Sequence, residues 1–291
     1  MSRADQPLVA PDEPVHLSGS QLAKVLACPR NWFLARKAQG ESVRNAAASF
    51  GSVVHVLAEY GAHSQADHEE LSTHLESVWS QLAFDAHWLS AVERVEAESA
   101  LERFVTWQEA RSNLTLIGTE VEFSCHIDLG SDRIHLTGSA DRVERDSDGR
   151  IWIVDFKTSK AALTAADVAL HDQLGVYQLA VQQGAFAAVA GEGARPAGAE
   201  LVYLRLPDGD SGYPKTFQQA SLDDVPFPLN AVNGTGDSSL AAQPTWVHRR
   251  LAEAANIIRG EHHDARIGPG CRYCPFRTSC PALPTGQQVL R

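Results

Sequence analysis

Two acids and a lysine near the middle of the chain have the types and spacing that chemistry needs. Asp155 and Lys157 close the run Ile151-Trp-Ile-Val-Asp-Phe-Lys157. Successive side chains of a strand alternate faces, so Asp155 and Lys157 share one side while Phe156 turns into the core. Asp141 lies in the preceding segment, Leu136-Thr-Gly-Ser-Ala-Asp-Arg-Val143, where hairpin pairing can set it beside Asp155. Two carboxylates and a lysine at a sheet edge suit a hard divalent cation, Mg²⁺ or Mn²⁺, which takes oxygen ligands and keeps several waters. Such an ion acidifies an attacking water and neutralises charge building up on a phosphodiester. Lys157 could orient or deprotonate that water, or stabilise the pentavalent oxyanions. Asp-x-Lys alone is more often a surface salt bridge. Here the pair ends an apolar strand, which is poor surface design and good site design.

The elements that hold these residues follow from hydrophobic period and turn residues. Residues 1–16 read as a flexible leader. Ser18-Gly-Ser-Gln21 fits a capping box opening a short helix that Pro29 interrupts or restarts. Residues 46–60 and 68–111 read as helices, with Leu71, Leu75, Val78 and Leu82 at helical spacing. After Asn113 the period changes. Thr115–Ile127, Ile134–Glu144 and Ile151–Lys157 form a meander of three strands, punctuated by Gly130-Ser-Asp132 and Asp146-Ser-Asp-Gly149. Thr164–Gln183 returns to helix, residues 191–196 form a loop, and Glu200–Leu206 is a strand. Residues 207–244 are loop-rich, with an edge strand around Tyr213–Gln218. Thr245–Arg259 is a closing helix ahead of a cysteine-bearing tail. The expected fold class is α/β, with residues 17–291 as a single domain: a helical part (17–112), a core (113–206), the loop-rich segment and the closing part (245–291).

The chain has 291 residues, 44% hydrophobic and 21% charged, which excludes a disordered or fibrous polypeptide. No apolar run approaches the ~20 residues of a membrane span. The start of the chain lacks the basic-then-apolar order of a secretion signal, so a cytoplasmic location is expected. The five cysteines are then reduced thiols or metal ligands rather than disulfides. A net charge of -11 would count against a nucleic-acid partner if it were evenly spread, but it is not. Residues 67–102 carry nine acids and one base, whereas residues 28–44 carry four bases and one acid. Residues 265–291 carry four bases and no acid, and these two basic segments hold four of the five cysteines. No G-x-x-x-x-G-K-[ST] phosphate loop occurs, so no ATP hydrolysis is expected.

Gly138-Ser-Ala-Asp141-Arg-Val followed by Val154-Asp155-Phe-Lys157-Thr resembles the PD-(D/E)XK nuclease superfamily in its RecB-like branch. Further matches come in the same order. Phe50-Gly-Ser-Val-Val-His55-Val-Leu-Ala-Glu59 resembles the upstream helix whose histidine completes the metal site in that branch. Glu120-Val-Glu-Phe123 resembles the first-strand glutamate motif, and Gln173-Leu-Gly-Val-Tyr177 the Gln-x-x-x-Tyr motif. The resemblance covers about Ser18 to Pro281. Each motif alone is loose; five in order are specific. It implies a restriction-endonuclease-like core, a central mixed sheet flanked by helices, with an N-terminal helical insertion. It also implies that His55, Asp141 and Asp155 hold Mg²⁺ or Mn²⁺.

Taken by themselves, these residues leave alternatives open. A lone histidine after two valines is more often structural than a ligand. Glu59, one turn on, is either behind the site or exposed. Gln173 and Tyr177, at i and i+4, share a helix face, and either reach the DNA backbone, brace the site or mark an amphipathic boundary. Between Glu120 and Glu122, which strand alternation puts on one face, the sequence makes no firm choice; spacing to Phe123 favours Glu120, with a role in polarising a metal-bound water.

Cys271-Arg-Tyr-Cys274 and Cys280 make a C-x2-C-x5-C group, and Cys28 lies near the other end of the chain. Thiolates so spaced suit zinc or an iron–sulfur cluster. One remote cysteine plus a compact three matches a cluster better than the two close pairs usual for zinc. The pattern resembles the iron–sulfur nucleases of the same superfamily, including AddB-type subunits and CRISPR adaptation nucleases, where such a set holds a 4Fe–4S cluster as a clip. The clip would close a loop of nearly the whole chain and bring the two basic segments together as a rim near the catalytic edge. Arg30, Arg36, Lys37, Arg272 and Arg277 are then candidates for phosphate contacts. Trp32, Phe33, Tyr273 and Phe276 either stack on unpaired bases or pack around the cluster. Cys125, alone in an apolar strand, reads as a core residue. The expectation is a metal-dependent exonuclease on single-stranded DNA, with a helicase or repair partner in trans. The rivals are a CRISPR-adaptation nuclease that trims DNA ends, a non-catalytic DNA-end-binding module, and a redox sensor whose cluster controls DNA binding.

Overall fold

The computed structural model describes residues 8–38, 46–82, 84, 86–130, 132–225, 245–260, 263–284 and 286. Two compact units share it. The first takes in residues 8–38, 124–138 and the part after 244; the second takes in residues 46–123 and 139–225. Arg44 and residues 226–244 of the loop-rich segment lie outside the described residues. Among those residues no helix is long and apolar enough to cross a membrane.

The second unit is built on strands β2 (Thr115–Asp128), β3 (Arg133–Arg145), β4 (Ile151–Lys157), β5 (Pro196–Pro207) and β6 (Pro214–Ala220), whose β2 and β3 also supply residues 124–138 to the first unit. β4 is central. It runs antiparallel to β3, in the register Arg142↔Val154, and parallel to β5, in the register Asp155↔Leu201. β6 closes the edge antiparallel to β5. Parallel neighbours need a crossover, supplied here by α6 (Ala165–Ala169), α7 (Asp172–Gln182) and α8 (Ala187–Ala190). Gly198 on β5 is required by geometry: its φ is 148°, and an added Cβ would stand 2.6 Å from the Trp152 ring.

Three helices pack on the sheet, α3 (Ala46–Ser64), α4 (His68–Trp79) and α5 (His87–Glu109). Their apolar stripes (Val54 and Leu57; Leu71 and Leu75; Leu101, Phe104 and Trp107) meet Val154, Phe156, Val202 and Leu204 in one core. Phe156 presents its edge to Phe104 and Trp107 at centroid distances of 5.7 and 5.3 Å. Behind that core lies a buried ionic network. Arg111 Nε reaches both Glu144 oxygens, at 3.0 and 2.9 Å, and its Nη1 reaches Glu200 at 2.6 Å. Arg142 donates to Glu144 at 2.8 Å and to Gln108 at 2.7 Å. Gln108 in turn donates to the Gly61 carbonyl on α3 at 3.2 Å. The chain of contacts ties α3 and α5 to β3 and β5.

The first unit has a short strand, β1 (Val15–Leu17), parallel to β3 with His16↔His135, and helices α1 (Gly19–Ala27), α2 (Pro29–Arg36) and α9 (Trp246–Arg259). Ser18 caps α1 by accepting from the Gln21 amide, and Pro29 opens α2, where its missing N–H costs nothing. The tail forms two 3₁₀ turns, Pro269–Tyr273 and Arg277–Ser279.

Four expectations need correction. The leader extends less far than residue 16, because Val15 and Leu17 are fully buried strand residues. Residues 68–111 form two helices, since Asp67 caps α4 and α5 begins only at His87. Residues 164–183 also divide, with a break at Leu170-His171. Cys125 is half-buried rather than a core residue, although burial still pushes its thiol up to about 11.

Candidate active site

The second unit gathers His55, Glu120, Asp141, Asp155, Lys157, Gln173 and Tyr177. His55, Glu120 and Asp141 each offer a ligand atom within 4.8 Å of the others. His55 sits mid-way along α3, its ring edge-on to Phe156 at 6.4 Å, and its Nδ1 lies 3.5 Å from Asp141 Oδ2. That same oxygen accepts the Phe156 amide at 2.7 Å, so the hairpin backbone itself aims Asp141. Burial lowers the His55 pKa below the ordinary 6.5, which keeps the imidazole neutral and able to ligate. Burial and the charges of Asp155 and Glu120 raise the Asp141 carboxyl well above its ordinary value. A buried acid held against like charges is what a bound cation relieves.

Glu120 owes its place to a break in strand alternation. Its φ is 45°, in the left-handed region that side chains rarely adopt. Its Oε2 accepts from Ser139 Oγ at 3.0 Å, turning the carboxylate toward β3 and Asp141. Glu122 is exposed and takes no part in the cluster.

Asp155 is 2% exposed. Its Oδ2 lies 2.6 Å from Lys157 Nζ but outside hydrogen-bonding geometry, leaving a buried carboxylate oxygen without a hydrogen-bond partner. Lys157 Nζ donates to Gln173 Oε1 at 3.1 Å, and Gln173 Nε2 donates to Tyr177 Oη at 2.7 Å. Tyr177 Oη donates to Asp155 Oδ1 at 3.4 Å, closing a ring of four side chains. Burial, then the nearby Asp155 and Asp141 charges, raise the Tyr177 pKa, so the phenol keeps its proton and remains a donor. Gln173 and Tyr177 thus face the strand carboxylate and lysine from α7. The orphaned Asp155 oxygen, the neutral imidazole and the acid-rich cluster together fit a hard divalent cation.

The four candidate cluster cysteines all lie in the first unit and are half-buried. There the tail runs beside α2: the Arg30 amide donates to the Asp264 carbonyl at 3.3 Å, and His263 stacks on Phe33 at 4.5 Å. Two sulfurs accept N–H hydrogen bonds, Cys274 from Asn31 Nδ2 at 3.1 Å and Cys271 from the Gly268 amide at 3.4 Å. Such donors stabilise thiolates, while Cys271 Sγ also faces the Arg266 carbonyl at 3.8 Å. Arg36, Lys37, Arg272 and Arg277 are exposed and Arg30 is half-buried. Among the aromatics, Trp32 is 3% exposed and stacked on His263, the packing alternative, whereas Tyr273 is 81% exposed. Glu59 is half-buried and outside the His55 cluster.

Sequence reasoning missed Ser139, the left-handed backbone at Glu120, and the Arg111 network. The network had a partial signal: Glu200 is an acid inside an otherwise apolar strand segment. The backbone turn at Glu120 had none.

An α/β core whose central strand ends in a carboxylate and a lysine, beside a second acid and a histidine, defines a nuclease-type site. The family model described as the PD-(D/E)XK nuclease superfamily matches residues 16–281, and the chain belongs to that superfamily. Members of this superfamily are typically nucleases that use divalent metals. No curated protein matches the chain. Among solved structures, the crystal structure of SSO0001 is similar over 93% of this chain and 88% of its own, at 15% identity and a TM-score of 0.39.

Proposed function

We propose that the chain is a metal-dependent exonuclease of the RecB-like type that acts on single-stranded DNA in repair or recombination. The observation that carries this reading is the meeting of His55, Glu120 and Asp141 within reach of one ion, beside buried Asp155 and its ion-pair partner Lys157. The exonuclease and single-strand assignments rest on the five ordered RecB-like motifs.

On this reading His55, Asp141 and Asp155 hold Mg²⁺ or Mn²⁺, with Glu120 polarising water at its edge. The ion supplies an acidified water and neutralises charge on the phosphodiester. Lys157 turns its remaining N–H bonds toward that water and the phosphate oxygens, countering charge that grows in the transition state. Gln173 and Tyr177 are positioning residues, because they hold Lys157 and Asp155 rather than substrate. In-line attack leaves a 5′-phosphate product. Cys28, Cys271, Cys274 and Cys280 hold a 4Fe–4S cluster, and Arg30, Arg36, Lys37, Arg272 and Arg277 contact phosphates. A helicase or repair partner would act in trans.

The test is anaerobically purified protein with end-labelled single-stranded DNA, with and without Mn²⁺, beside Asp155→Ala. Metal-dependent shortening that the variant abolishes is expected, and 5′ against 3′ labels give its direction. No shortening by protein that carries its cluster, or equal shortening by the variant, overturns the reading.

A further inference from the structure

Three histidines from three neighbouring strands converge in the first unit, far in sequence from His55. His16 is on β1, His126 on β2 and His135 on β3, and none belongs to the nuclease site. His16 and His135 are opposite one another in the parallel register. Their Nδ1 atoms are 3.0 Å apart, ring edge toward ring. Two neutral imidazoles can meet so closely only if one Nδ1 carries a proton and the other does not. The second nitrogen of His135, Nε2, lies 2.8 Å from Ser124 Oγ. His126 covers His135, its ring stacked parallel at 4.6 Å. His16 and His126 are exposed and His135 half-buried, so the edge is open to solutes.

We propose that His16 and His135 chelate a late divalent transition metal such as Ni²⁺ or Cu²⁺ through their Nδ1 atoms, with His126 stacked over the His135 ring. Imidazole is the nitrogen ligand these metals favour. With metal–nitrogen bonds of about 2.0–2.1 Å, a nitrogen pair 3.0 Å apart subtends about 95° at the metal. That is the cis angle of a tetragonal site rather than the wider one of tetrahedral zinc. The tautomer is provided for as well. When Nδ1 of His135 binds metal, its proton resides on Nε2, which then donates to Ser124 Oγ. A ligating histidine normally has such a partner on its other nitrogen. The shift moves the proton within the ring and releases none. Because the two ligands are 119 positions apart in sequence, the metal ties β1 to β3 and stabilises the folded unit.

The test is calorimetric titration of the untagged protein with Ni²⁺, comparing wild type with His135→Gln, His16→Gln and His55→Ala. Metal taken up by cysteines is common to all four proteins and cancels. One equivalent is expected to disappear in His16→Gln and in His135→Gln, with a different equivalent lost in His55→Ala. Ni²⁺ should raise the melting temperature of His55→Ala protein but lose that part of its effect in His16→Gln. His16 is exposed on a short strand, so His16→Gln keeps the test valid if His135→Gln folds poorly. Wild-type stoichiometry in a folded His16→Gln protein overturns the proposal. Mg²⁺-dependent cleavage should be unchanged in both glutamine variants, so failure here is separate from failure of the nuclease reading.

Discussion

Asp141 is held under opposing influences. The Phe156 amide favours its charged form, while burial and the Asp155 and Glu120 charges disfavour it more. The sign for stability follows. A carboxyl raised in the folded protein binds its proton more tightly there than in the unfolded chain. Metal-free protein therefore has that stability in full below the ordinary 3.8 and loses it as pH rises through the raised value. A divalent ion takes the proton's place, so Mn²⁺ should raise the melting temperature more at higher pH. His55, whose pKa is lowered, pulls the other way, costing stability as pH falls below the ordinary 6.5. Thermal melts against pH, with and without Mn²⁺, should show both slopes, and Asp141→Asn should flatten them. Unchanged slopes in that variant would remove Asp141 from the explanation. Asp155 and Lys157 were legible in sequence because a two-residue strand period and a four-residue helix period put them in reach of Gln173 and Tyr177. The choice of Glu120 over Glu122 was not, since strand alternation fails where φ turns positive.

At the scale of elements, α3 carries His55 and must be fixed to the sheet by more than its apolar stripe. The Arg111 network does this with charges that are almost wholly out of water: Glu144 is 0% and Glu200 2% exposed. Replacing such a pair with apolar residues is often neutral, whereas removing one partner strands the other. Arg111→Met should therefore cost about 3–5 kcal/mol of stability in chemical denaturation. A loss below about 1 kcal/mol would mean that water re-enters and the network is not sealed. The strands were readable from alternation and turn residues. The helix breaks near Ser80 and Leu170 were not, because the helices that follow them, α5 and α7, start after Ala86 and His171 without a side-chain cap to mark the place.

For the whole molecule, the two units divide the chemistry between them: the nuclease-type cluster belongs to one and the cysteines to the other. In the cysteine-bearing unit the chain ends are already joined by Arg30–Asp264, Arg266–Leu26 and Asn31–Cys274 contacts. The proposed cluster would add a cross-link to contacts that are individually weak. Cys274→Ala should lose the visible absorbance of the cluster and about 2–5 kcal/mol of stability. A variant that stays colourless yet melts as wild type would leave the tail held by these contacts alone. The cysteine spacing was plain in the sequence. That β1 begins at Val15 was not, because a three-residue strand carries too little pattern to separate it from a leader.

The left-handed backbone at Glu120 sets activity against durability. A side chain in that region costs about 1–3 kcal/mol, most of which glycine would recover. Glu120→Gly should thus raise the unfolding free energy by up to about 1 kcal/mol after glycine's own entropy is counted, while weakening divalent-ion binding. Calorimetric melting and Mn²⁺ titration of one variant would read both sides of the exchange. A protein made hardier by giving up its glutamate would show that the chain tolerates a less stable fold at this position for the sake of the carboxylate's aim.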